Sequence, residues 1–182
     1  MGMVLERLEE EAAARTQLPH AEWYIKVVRG AGLAVLDGQR SSDPLISVSL
    51  TDTYRGVVTE RRTHFRKQTP DPWYTGHFVL DGRKLDQQAY LDVRVIQHTP
   101  TSTSPPSWGG FRVPLSSIPR GTFHAQWWNC TGGARTSRGA HEKPRVYLEI
   151  ICGDAIERDA VLRESAHRAM IHPSAAHKQG KE

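Results

Sequence analysis

The feature that most constrains the fold is the way short extended runs recur along the chain. Residues 90–96 alternate without a break, Leu91, Val93 and Val95 apolar against charged Asp92 and Arg94. A strand with that pattern buries one face and wets the other. Comparable runs, each bounded by turn residues, are predicted at 23–28, 45–50, about 57–67, 77–80, 111–115, 123–128 and 146–151. Short strands at this spacing are the pattern of a sandwich, and eight of them suffice to bury two inner faces against each other. The expected fold class is all-β, an eight-stranded antiparallel β-sandwich with short helical extensions. Nothing before Trp23 looks extended, so the closing edge strand is expected at 146–151.

The two ends read differently. Val4, Leu5, Leu8 and Ala12 recur at helical spacing within 3–16, with glutamates early, Arg15 late and Pro19 as the stop. The stripe is narrow, so this helix either docks on the sandwich or pairs with a partner helix. Its acidic polar face suits a membrane surface poorly. Beyond Cys152, Gly153-Asp154 reads as a helix start, 155–171 as a second helix, and 174–182 as a polar tail expected to be disordered. The expected organisation is 1–18 N-terminal helical extension, 19–151 sandwich, 152–182 C-terminal helix and tail. His167, His172 and His177 step by five residues, which on a helix does not bring them together.

Composition excludes several classes. No apolar run approaches the length of a membrane span. Glu6 falls where a secretory signal needs an apolar core, and where a myristoylation motif needs Ser or Thr. Two cysteines, Cys130 and Cys152, suggest neither a disulfide framework nor zinc, and a reduced, cytoplasmic setting is the default expectation. Residues 1–18 carry four glutamates against Arg7 and Arg15, a net of −2, and residues 152–182 balance five acids with five Lys/Arg. The middle therefore holds 24 − 2 − 5 = 17 bases and 20 − 4 − 5 = 11 acids, a net of +6. A basic globule favours anionic partners.

One loop stands out. Between the runs at 23–28 and 45–50 lie Asp37-Gly38 and Ser42-Asp43-Pro44. Two carboxylates on one loop rim can meet at calcium, which takes oxygens from flexible loops. Alternatively, Asp37 caps a turn with Gly38 and Asp43 caps the loop exit.

Taken together, Ala31, Leu33, Asp37 and Ser42-Asp43-Pro44 resemble the opening of a C2 domain, a calcium- and phospholipid-binding β-sandwich. Thr69-Pro70-Asp71-Pro72-Trp73 with Phe78, the run Leu91-Asp92-Val93-Arg94-Val95, and Gly109-Gly110-Phe111-Arg112-Val113-Pro114-Leu115 resemble later landmarks of that family, in its order. Gln126-Trp127-Trp128 and Val146-Tyr147-Leu148-Glu149-Ile150 resemble its last two strands. The resemblance implies the circular arrangement whose first strand leads directly into the first aspartate loop. It also implies a calcium site built from that loop and the one after residue 96. Asp37 and Asp43 match the first loop's aspartates, but Gln97 and Thr99 stand where the second loop normally has acids, and 100–107 adds none. Calcium is therefore expected to bind weakly or not at all, and no cofactor is firmly implied. Trp108 is read as core rather than as a lipid-facing ring.

In the family, the strand at 60–67 often carries a basic cluster for phosphoinositide head groups. Alternation places Arg62, His64 and Arg66 on one face, with Arg55 on the preceding turn. Such a patch can meet an anionic phospholipid membrane surface, or can simply discourage edge pairing. The expected function is a non-catalytic module for peripheral, calcium-independent membrane binding. A protein-interaction adaptor and weak calcium-dependent lipid binding are the alternatives. No enzymatic motif appears, and Trp127-Trp128 are assigned to the core rather than to nucleic acid.

Overall fold

The computed structural model describes residues 22–82, 85–86, 88–136 and 142–171. The N-terminal helix expected at 3–16 and the tail expected at 174–182 lie outside them. The strands are β1 (Glu22–Ala31), β2 (Pro44–Asp52), β3 (Gly56–Arg62), β4 (His77–Asp81), β5 (Tyr90–Gln97), β6 (Ser107–Pro114), β7 (Phe123–Asn129), β8 (Thr131–Gly132) and β9 (Arg145–Gly153), followed by helix α1 (Ala155–Ile171). They form two antiparallel sheets, ordered β4-β1-β9-β7 and β3-β2-β5-β6-β8. The eight predicted strands are all present, and the two-residue β8 is an addition.

Alternation does the sorting. Trp23, Ile25 and Val27 from β1 face Ile46, Val48 and Leu50 from β2 and Leu91, Val93 and Val95 from β5, all at most 1% exposed. Burying each such side chain contributes about 1.5–3 kcal/mol, so the alternating positions hold the sheets face to face. Trp108 belongs to this core as expected, 1% exposed, and its Nε1–H donates to the Ala34 carbonyl at 2.7 Å. Of the tryptophan pair, Trp128 stacks on Phe111 at 5.4 Å, both half-buried against the core. Trp127, also expected in the core, instead turns outward, edge-on to Tyr147, because neighbouring residues of β7 point to opposite faces.

Two further sequence expectations are corrected. β9 is not an edge strand, for it lies between β1 and β7 and pairs with both. Its consecutive buried residues Ile150, Ile151 and Cys152 are covered from both sides, as an interior strand requires. β3 stops at Arg62 instead of running to 67. Thr63 N–H still reaches the Ile46 carbonyl, but the Ile46 N–H is taken by the Thr63 hydroxyl at 2.9 Å, which breaks the ladder.

Helix α1 starts at 155, as the sequence suggests, because Asp154 and Glu157 form a reciprocal cap. Asp154 Oδ1 accepts the N–H groups of Ile156 and Glu157 at 2.9 Å each, and Glu157 Oε2 accepts the Asp154 N–H at 2.8 Å. The helix packs against β9 and β7.

Candidate functional site

The loop end of the sandwich is clamped by Ser42 and Asp43. The Ser42 hydroxyl points at the Leu33 and Thr69 carbonyls, 2.5 and 3.2 Å away, while its carbonyl accepts the Thr69 N–H. Asp43 donates its N–H to Gln97 Oε1 at 3.1 Å and accepts the His98 N–H on its carbonyl. Its carboxylate accepts the Gln68 N–H at 2.7 Å on one oxygen and the Ser41 hydroxyl at 2.6 Å on the other. Gln68 sits at φ +50°, a left-handed turn that aims its amide at Asp43. Three loops are thus tied by direct hydrogen bonds.

Tested as a calcium cage, this donor set does not fit. Both Asp43 oxygens and Gln97 Oε1 are already acceptors within the protein, and Gln97 is 3% exposed. Asp37 is exposed on its turn and joins the neighbouring loop through its main chain, N–H to the Arg135 carbonyl at 3.0 Å. Thr99 Oγ1 is buried with no partner among the described residues. Among the described residues no three metal-ligating acids, histidines or cysteines cluster.

The outward face of the second sheet is the other candidate. Strand register puts Arg62 opposite Ser47, Ser47 opposite Arg94, Arg94 opposite Gly110, and Gly110 opposite Thr131. The adjacent row reads Glu60, Ser49, Asp92, Arg112. Each guanidinium leans its Nε on a carboxylate: Arg62 on Glu60 at 2.7 Å, Arg94 on Asp92 at 3.2 Å, and Arg112 on Asp92 at 3.8 Å. Arg112 also lies over the Tyr90 ring, 4.6 Å from its centre. All three arginine side chains remain at least 60% exposed. The Ser47 hydroxyl, bonded to Glu60, and then Arg62 hold the Glu60 carboxyl below its ordinary range. Between Arg94 and Arg112 opens a groove of about 590 Å³, floored by Gly109 and Gly110 and bounded by Ser107, Thr131 and Gly132.

Of the head-group residues expected from the sequence, Arg55, Arg62, His64 and Arg66, only Arg62 stands on this face. His64 lies exposed beyond the end of β3. Phe65 stacks on His98 with ring centres 3.9 Å apart, and Arg66 is drawn to the Tyr74 ring, 5.8 Å away. Arg55 sits at the far end of the sandwich, its Nη2 bonded to Asp52 at 2.9 Å. Sequence reasoning misses Arg94 and Arg112 because each stands alone in its own strand. Their meeting depends on the β5–β6 register.

The C2 domain family model matches residues 22–130. This chain belongs to the C2 domain family. Solved structures similar to it include the first of the lettered C2 domains, domain A, of plant extended synaptotagmin 1, with a TM-score of 0.59 at 18% identity over 74% of this chain and 95% of that one. Human GIVD cytosolic phospholipase A2 matches at a TM-score of 0.57 and 11% identity, over 75% of this chain but 17% of that enzyme. The portion of extended synaptotagmin 2 that holds its SMP domain and C2 domains A and B matches at 0.54 and 14%, over 78% of this chain and 29% of that one. At such identities the likeness shows the fold. No curated protein matches the sequence. Among the described residues of this C2 domain, no helix is long and apolar enough to cross a membrane.

Proposed function

We propose that this C2 domain is a non-catalytic module that binds anionic phospholipid surfaces without calcium, through the arginine face of its second sheet. The observation that carries the reading is that Arg94 on β5 and Arg112 on β6 both rest on Asp92 and line one glycine-floored groove, with Arg62 two strands away in the same row as Arg94. Each guanidinium engages its carboxylate through Nε, and a planar fork of that kind matches phosphate oxygens. Cations near an anionic surface contribute about 1 kcal/mol each. The open groove between them admits a phosphorylated head group such as a phosphoinositide's. Calcium independence rests on the loop end, where hydrogen bonds to Asp43 and Gln97 occupy the oxygens that a cation would need.

The test is co-sedimentation with phosphatidylcholine vesicles, with and without phosphoinositide, in calcium or in chelator. Binding should require the phosphoinositide, ignore calcium, weaken with salt, and be lost in R94Q/R112Q. The H64A/R66A variant should bind as the unmodified protein does. If R94Q/R112Q binds normally while H64A/R66A does not, the lipid face lies at the loop end instead. If the unmodified protein ignores anionic vesicles, the adaptor reading takes over.

A further inference from the structure

Among the described residues, seven large hydrophobic side chains stand exposed, and three of them fall within five positions of one hairpin. Tyr54 is 88% exposed, Val57 61% and Val58 40%, where β2 turns into β3. Single apolar side chains on a surface need no explanation, but a cluster on a projecting tip marks an interaction site. The tip is held stiffly. Asp52 Oδ1 accepts the N–H groups of Tyr54 and Arg55 at 3.0 Å each, and Asp86 accepts the Thr53 N–H at 2.7 Å. Main-chain groups thus shape the turn without the Arg55 side chain, whose guanidinium stays on Asp52 and leaves the tip uncharged overall.

The register joins this tip to the arginine face. Thr59 opposes Leu50 and Val57 opposes Thr51, which leaves Val58 as a bulge between them. Thr51 in turn lies opposite Tyr90, and Tyr90 opposite Pro114. The row holding Val57, Tyr90 and Pro114 is the next one along the strands from Glu60, Asp92 and Arg112, about 7 Å away. Arg112 bridges the two rows by lying over the Tyr90 ring at 4.6 Å. Cations that border aromatic and aliphatic side chains on one face suit the boundary between lipid head groups and acyl chains. Resting on the lipid reading of the arginine face, we infer that the β2–β3 tip inserts Tyr54 and Val57 into the head-group layer of an anionic phospholipid bilayer while the arginines hold its phosphates. The domain then docks by the end of the sandwich opposite Asp43 and Gln97. A bilayer is favoured over a second chain because the tip and the arginines form one continuous strip. The free edge of β3 is also guarded against strand pairing by exposed Glu60, Arg61 and Arg62.

Two probes separate the tip from the arginines. Soluble inositol trisphosphate offers only a head group, whereas phosphatidylcholine vesicles carrying phosphoinositide also offer the interface. Y54S/V57S should bind the soluble head group as the unmodified protein does. It should bind the vesicles at least about tenfold more weakly, the loss expected when two apolar side chains no longer leave water. R94Q/R112Q should lose both. A nitrobenzoxadiazole label on Y54C should brighten and shift to the blue with vesicles, the unmodified protein carried through labelling serving as the blank. The same label on S104C, exposed at the opposite loop end, should not respond. Vesicle binding by Y54S/V57S at unmodified strength overturns the inference, as does a response at position 104 without one at 54. So does a dimer in sedimentation equilibrium that Y54S/V57S abolishes, for the tip would then meet a second copy. In each case the arginine face still stands if R94Q/R112Q loses the soluble head group. Unmodified protein that ignores both probes overturns the lipid reading and the tip insertion together.

Discussion

The Gln68 N–H donates to Asp43 Oδ1 at 2.7 Å, from a residue held at φ +50°. That bond ties the first aspartate loop to the segment between β3 and β4 and gives one Asp43 oxygen a partner within the protein. Removing a half-buried carboxylate leaves its hydrogen-bond donors unsatisfied, at a cost of about 1–3 kcal/mol. Asp43→Ala is therefore expected to lower the stability measured by urea unfolding by that amount, and calcium should not restore it. Melts of the unmodified protein in micromolar calcium and in chelator should superimpose, since a ligand far below its Kd adds nothing. An upward shift with calcium would mean that the loops open and exchange protein donors for the ion.

At the far end, Asp52 accepts the N–H groups of Tyr54, Arg55 and Asp86 as well as Arg55 Nη2. The Arg55 side chain, only partly opposed by desolvation, holds this carboxyl well below the usual carboxylate range. The sign follows from linkage. A depressed native pKa contributes stability above the unfolded value of about 3.9, and that contribution fades as pH falls through the native value. The stability gap between the unmodified protein and Asp52→Asn should be largest near neutrality and close below about pH 4. Urea titrations at successive pH values measure it. Arg55→Ala should likewise cost stability and leave vesicle binding unchanged.

The two thiols are predicted to be inert. Burial pushes Cys130 up to about 12 and Cys152 up to about 11, the latter with Arg120 opposing and Glu157 assisting. Thiolate is the reacting form, so native protein at pH 8 should resist iodoacetamide over hours. In denaturant both cysteines should alkylate within minutes, as read by mass spectrometry. Labelling of either in the native state would show local opening of the β7–β9 region.

Alternation and turn chemistry make most of the architecture legible. The face sorting of β5 and the start of α1 follow from local residues alone: Leu91, Val93 and Val95 in one case, Asp154 and Glu157 in the other. The arginine face is not legible, because Arg62, Arg94 and Arg112 are far apart in sequence and meet only through strand register. Extrapolating one strand's period past Arg62 produces the trio Arg62, His64, Arg66. The Thr63 hydroxyl ends that period by taking the Ile46 N–H. The interior place of β9 has a local sign, the apolar run Ile150-Ile151-Cys152, which alternation does not explain and double-sided burial does.

The groove floor offers a separate test of the arginine face. A Cβ on Gly110 would collide with the Val93 carbonyl and press on the Arg94 main chain. The nearest obstacle is backbone, so the β5–β6 ladder itself must shift, and overpacking of this kind costs about 1–3 kcal/mol. A Cβ on Gly76 meets nothing within 4 Å, and Gly76→Ala should stay within about 0.5 kcal/mol of the unmodified protein. Gly110→Ala should lower the melting temperature and, by moving Arg94 relative to Arg112, weaken phosphoinositide-vesicle binding at temperatures where the variant is still folded. Circular dichroism and co-sedimentation on the same samples separate the two effects. If Gly110→Ala is destabilised but binds as tightly as Gly76→Ala, the spacing of Arg94 and Arg112 does not set affinity, and Arg62 on β3 would have to carry it.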